Sequence, residues 1–140
     1  MSLPSLALAL QAYTHKGFTY RPYDGTYPKT GFAVSISGHE RRIDAEHLQP
    51  DAIDAYWEAV KGTVAAANIV FPGAVCVGAW WDRMGAQWCL DISLVVRSLD
   101  EALTIARQNN QLAVWHLDTG EEIAVPYHNP PPAIPLHIDD

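Results

Sequence analysis

The groups that could do chemistry in this 140-residue chain are six histidines, sixteen carboxylates and two cysteines. His39-Glu40 begins like the His-Glu-x-x-His zinc-protease helix, in which histidines one turn apart grip the metal and the glutamate serves as base. Position 43 is Ile43, and the next histidine is His47, so that motif is broken. A looser set of His39, Glu40, Glu46 and His47 has no spacing that enforces a ligand cage, and a solvated loop is the expected state. No metal and no cofactor is expected. The chain has no Gly-rich phosphate cradle, no nucleophile elbow and no Cys-x-x-Cys, so nucleotide, serine-hydrolase and thiol-redox chemistries have no motif behind them.

Isolated residues remain. Asp91 stands inside an apolar run with Ser93 on its face and Cys89 two residues before it. A catalytic carboxylate there would be pushed up by burial, whereas a structural one would accept hydrogen bonds or pair with an arginine. The structural reading is the stronger, because buried carboxylates are more often tied down than catalytic. A small enzyme or ligand-binding site formed by His39, Asp91 and His116 is the alternative this leaves open.

Contact chemistry is better represented than bond-making chemistry. Five tryptophans and six tyrosines are many for this length. Trp80 and Trp81 are adjacent in a β-like run and must point to opposite faces, so one of them approaches the surface unless a terminal segment covers it. Tyr23, Tyr27, Trp81 and Arg83 lie in or beside turns and are of the types that dominate interface hot spots. With Glu121 and Glu122 they are the interface candidates.

Nine Lys and Arg are set against sixteen Asp and Glu, a net charge of −7. The basic residues are scattered, with only Arg41 and Arg42 adjacent, which speaks against direct nucleic-acid binding. Much of the acidic excess lies late in the chain: Asp100, Glu101, Asp118, Glu121, Glu122, Asp139 and Asp140 face Arg107 alone. Such a surface keeps a protein soluble and also suits a basic partner.

These residues need a frame. Hydrophobic content of 49% with 18% charged residues is enough for one core at this length. Leu3, Leu6, Leu10 and Tyr13 recur at helical spacing, with Ser2 as cap, and predict an amphipathic helix; the segment is too short and lacks the basic flank for an export signal or a membrane span. Gly17 to Pro22 and Gly31 to Ser37 read as a hairpin with a longish loop across Asp24-Gly25. Residues 38 to 49 are polar and irregular, and residues 51 to 67 form a core-facing helix.

Val75 to Asp82 and Gln87 to Val96 are the clearest hairpin, in which Cys76 falls opposite Ser93 and Cys89 opposite Trp80, so two buried free thiols are expected rather than a disulfide. Ser98 opens a helix through a capping box with Glu101, and residues 112 to 117 and 122 to 125 are two more strands around Asp118-Thr119-Gly120. The expectation is a single α+β domain over residues 1–126, with a mostly antiparallel sheet of about five strands in hairpins and about three helices on one face. Residues 127–140 read as a proline-rich arm or disordered tail.

WDRMGAQWCLDISLVV with DEALTIARQNNQLAVWHLDTGEEI, from Trp80 to Ile123, resembles a strand–helix–strand module of short uncharacterised proteins of phages, prophages and other mobile elements. GFTYRPYDGTYPKTGFAVS resembles their opening. The likeness implies a small acidic accessory protein of the host-cell cytoplasm, and by analogy a binder and inhibitor of a host defence complex, as anti-CRISPR and anti-restriction proteins are. A non-enzymatic interaction module with a protein partner is therefore the leading expectation, with homodimer formation compatible with it.

Overall fold

The computed structural model describes residues 2–127, so the expected proline-rich arm lies, from residue 128 on, outside the described residues. Its longest strands form where β-branched and aromatic residues are densest: β4 (Val75–Asp82) and β5 (Gln87–Val96), paired antiparallel from Val75 opposite Leu94 to Asp82 opposite Gln87. Asp82 closes the turn by accepting the Gly85 N–H at 2.9 Å, and a Cβ on Gly85 would stand 2.5 Å from the other carboxylate oxygen. Cys76 does lie opposite Ser93 and Cys89 opposite Trp80, and both thiols are buried and unbridged.

The other strands add outward from this hairpin. β1 (Gly17–Tyr20) pairs with β4. β5 is long enough for two partners on its far side, β3 (Arg41–Ile43) beside Trp88–Leu90 and β2 (Phe32–Ser35) beside Ser93–Val96. β6 (Ala113–His116) follows β2, and β7 (Glu121–Ala124) follows β6. The result is a seven-stranded antiparallel sheet in the order β1-β4-β5-β2-β6-β7, with β3 beside β5.

Two expectations change here. The runs holding β1 and β2 do not form a hairpin, because the central pair lies between them. Each begins with a glycine pressed against a different strand: a Cβ on Gly17 would meet the Ala79 carbonyl at 2.6 Å, and one on Gly31 the Val96 carbonyl at 2.6 Å. The polar segment 38–49 also contains a strand, β3, which exists by pairing with β5 rather than by its own β-propensity. β3 is a strand beyond those expected, and the sheet has seven rather than about five.

Alternation along β5 divides the sheet into two unlike faces. Trp88, Leu90, Ile92 and Leu94 join Phe18, Tyr20, Val75, Val77 and Ala79 in the hydrophobic core. That core takes Leu8 and Ala12 from α1 (Ser5–His15), Ile53, Tyr56, Val60 and Val64 from α2 (Pro50–Val70), and Ala102, Ile105 and Ala106 from α3 (Leu99–Gln108). All three helices thus cover one face. The other face carries Cys76, Gly78, Cys89, Asp91 and Ser93, and both cysteines stand outside the core cluster.

The helix ends follow their local chemistry, with one exception. Ser98 caps α3 by accepting the Glu101 N–H at 3.3 Å, and Pro50 opens α2 at its first turn. α1 has Pro4 at its cap position, with no side-chain cap and no part for Ser2. Its expected inner stripe also divides. Leu3 is buried, but Leu6, Leu10 and Tyr13 are 67%, 58% and 67% exposed, and Leu8 and Ala12 take the core. The first two turns alternate Leu and Ala, so hydrophobicity alone selects no face. Contact with α2, where the Ser5 hydroxyl meets the Asp54 carboxylate, selects it.

Candidate functional site

β6 and β7 build the surface with the most distinct chemistry, and the reason begins at the turn between them. Gly120 adopts φ +73, which permits its N–H to reach the His116 carbonyl at 2.8 Å. Asp118 accepts the Gly31 N–H at 2.7 Å and stands 3.2 Å from His116 Nε2. The His116 ring stacks on Phe32 with centroids 4.5 Å apart, and its Nδ1 lies 3.1 Å from the Thr119 hydroxyl. The histidine is a brace that fastens this hairpin to β2.

Val114 is buried in the core, so strand alternation turns Trp115 to the opposite face, where it is 46% exposed. Glu122 lies directly across from it, and Glu121 lies across from His116. Val125 N–H bonds to the Leu112 carbonyl, which sets the phase of the ladder and turns the backbone groups of Glu122 and Ala124 outward. Among the described residues β7 is the last strand on this side. The edge therefore offers open backbone groups, an indole face and two carboxylates. An arginine or lysine can stack on the indole while a carboxylate accepts its N–H groups.

His39, Asp91 and His116 are not brought together. The His39 carbonyl accepts the Tyr56 hydroxyl at 2.5 Å just before β3. Asp91 sits on the sheet face away from the helices, accepting the Ser35 hydroxyl at 2.6 Å, while His116 is on the helix-covered face with Phe32. The interface candidates also fall into separate places. Tyr23 is 69% exposed below the start of β4, and Tyr27 stands edge-on to Tyr20 at 5.4 Å. Trp81 is half-buried, edge-on to Trp88 at 5.5 Å. Arg83 is exposed on the β4–β5 turn beside Met84, and Glu121 and Glu122 are on the far edge.

Trp115 is the residue the sequence reading passed over. Its signal is weak, because the one polar residue of the LAVWHL run, His116, shares a strand face with buried Val114, so polarity points to the wrong side.

Other titratable groups are occupied with structure. Buried Asp82 accepts from Arg42 at 2.7 Å, which ties β3 to the central hairpin. Burial pushes the Cys76 thiol up to about 12, away from the thiolate that nucleophilic or redox chemistry needs. Hydrogen bonds from Arg21, then from Thr26, hold Asp24 down to about 2. No cluster of three or more His, Cys, Asp or Glu with metal-site geometry occurs among the described residues. No described helix is long and apolar enough to cross a membrane. The chain matches no protein-family model, no curated protein and no solved structure.

Proposed function

We propose that this protein is a non-enzymatic interaction module that binds a protein partner through the β6–β7 edge. The observation that supports this most directly is Trp115, nearly half exposed and directly opposite Glu122 on the last strand pair. Tryptophan is among the residue types that dominate interface hot spots. The partner that fits is a protein segment rich in Arg or Lys, added beside β7 or laid across the Trp115 face.

The finer reading is that the module inhibits a host defence complex on behalf of a mobile element. It rests on the likeness of the 80–123 segment to mobile-element proteins and on the acidity of the C-terminal third. A surface of that sign would compete for a groove that a host protein keeps for nucleic acid.

The test is capture by the tagged protein from a bacterial lysate at moderate salt, run beside Trp115→Ala and the pair Glu121→Gln, Glu122→Gln. The reading expects one stoichiometric protein, lost with the tryptophan and released at lower salt by the charge-neutral pair. A protein held equally by all three forms, or none held by any, would overturn it.

A further inference from the structure

β7 is four residues long, and its two sides differ. Toward β6 the ladder is closed, because Val125 N–H meets the Leu112 carbonyl and the backbone groups of Ile123 turn the same way. The N–H and C=O groups of Glu122 and Ala124 point away from β6, and among the described residues no strand lies beyond them.

The side chains alternate as well. Glu122 and Ala124 share the face of Trp115, whereas Glu121 and Ile123 share the helix-covered face with His116 and Val114. α3 packs over β2, β5 and β6, and Ile123 is left half-buried at the rim of the core. The chain has no Lys or Arg after Arg107, whose Nε donates to the Pro126 carbonyl past the end of the strand. We infer, resting on the β6–β7 edge as the binding surface, that the partner's segment joins β7 as an added strand with a basic residue opposite Glu121, a basic residue opposite Glu122 and an apolar residue opposite Ile123.

Each part of that pattern has its own cause. The open hydrogen-bonding groups lie in the plane of the sheet, so a segment satisfies them by lying beside β7 rather than across its face. Directly opposite side chains are in contact, which sets a cation against each carboxylate and an apolar group against the uncovered part of Ile123. An arginine opposite Glu122 also extends over β7 toward the Trp115 indole, which lies about 10 Å away from strand axis to strand axis. Charge selects a foreign basic strand over a second copy. Two β7 edges paired with each other would bring Glu121 and Glu122 of both chains onto one ladder, with no Lys or Arg between them.

The probe is a capped synthetic peptide, Thr-Thr-Arg-Arg-Ile-Arg-Arg-Thr-Thr, which presents the same pattern in either strand direction. It is titrated into the full chain by calorimetry and by NMR. Binding should protect the Glu122 and Ala124 amide protons from hydrogen exchange. Only every second peptide N–H can face β7, so of two peptides N-methylated at the isoleucine or at an adjacent arginine, one should lose at least about 10-fold in affinity and the other less than about 3-fold. Replacing the isoleucine by arginine should weaken binding about 3-fold or more although it adds charge. Ala124→Pro removes one outward N–H without touching Trp115 or either glutamate, at an edge position where proline is tolerated, and should cost at least about 10-fold. If that variant melts lower than the parent, the two N-methylated peptides decide.

No binding up to about 1 mM, unprotected amides, equal losses from the two N-methyl groups or tighter binding of the all-arginine peptide would each overturn the inference. Lysate capture separates it from the reading beneath it. A partner kept by folded Ala124→Pro but lost with Trp115→Ala would overturn strand addition and leave the binding edge standing, whereas a partner kept by both would remove the edge too.

Discussion

The two outer edges of the sheet show how one chain of net −7 can present opposite surfaces. At the β7 edge, strand alternation sends Val114 inward and sets Trp115 opposite Glu122, so charge and aromatic area stand together. At the β1 edge, α1 brings no Asp, Glu, Lys or Arg to the surface, and three of its large apolar side chains remain outside the core. A strand offers every second residue to solvent, which can interleave carboxylates with core residues. A short helix of Leu and Ala exposes apolar residues whichever face it buries.

The largest effect expected from this contrast is within α1 itself. Leu8→Ala should cost about 2–5 kcal/mol of unfolding free energy in urea titration, because Leu8 is fully buried, whereas Leu10→Ala should change it by less than about 0.5 kcal/mol. Equal losses would mean that the helix faces the other way and that the β1 edge is not apolar. At the β7 edge, Trp115→Ala should weaken partner binding measured by calorimetry by about 2 kcal/mol or more, while unfolding shifts by no more than about 0.5 kcal/mol. A folded variant that binds as well as the parent would remove the aromatic half of the comparison.

Gly62→Ala should raise the stability of the monomer by roughly 1 kcal/mol, since a Cβ there meets open space. A lower melting temperature would show that the space beside Gly62 is occupied. Neutralising Glu121 and Glu122 to Gln should alter binding by less than about 1 kcal/mol, mainly through a slower association rate with a flatter salt dependence, as rim charges do.

Asp24 gives the smallest effect. Its carboxyl, held by Arg21 and Thr26, moves from 3.8 to about 2 on folding, so its contribution is present above the unfolded value and disappears as pH falls toward the folded one. Asp24→Asn should flatten the acid limb of the stability curve between those two pH values and lower stability slightly throughout the range above them.

How much could be read from the residues varies with the kind of signal. The central hairpin, its register through Cys76 and Ser93, and the Ser98 cap of α3 were all legible, because each depends on neighbours close along the chain. β3 and the separation of β1 from β2 were not, since those pairings join residues dozens of positions apart and follow from which strand of the central pair each segment can lie against. The β6–β7 edge was half legible. Glu121 and Glu122 stood out by charge, while Trp115 needed the phase of its strand, which Val114 sets by entering the core.

By itself the sequence determined that one α+β core would form, that the β4–β5 hairpin and the Ser98-capped helix would stand where turn, cap and alternation place them, and that the net charge would be negative. Tertiary structure alone decided which side of α1 faces inward, which strands are neighbours, and that His39, Asp91 and His116 lie apart. Local propensity acts between residues within a few positions of one another, whereas the choice of a buried face or a strand partner is made by packing among segments remote in sequence.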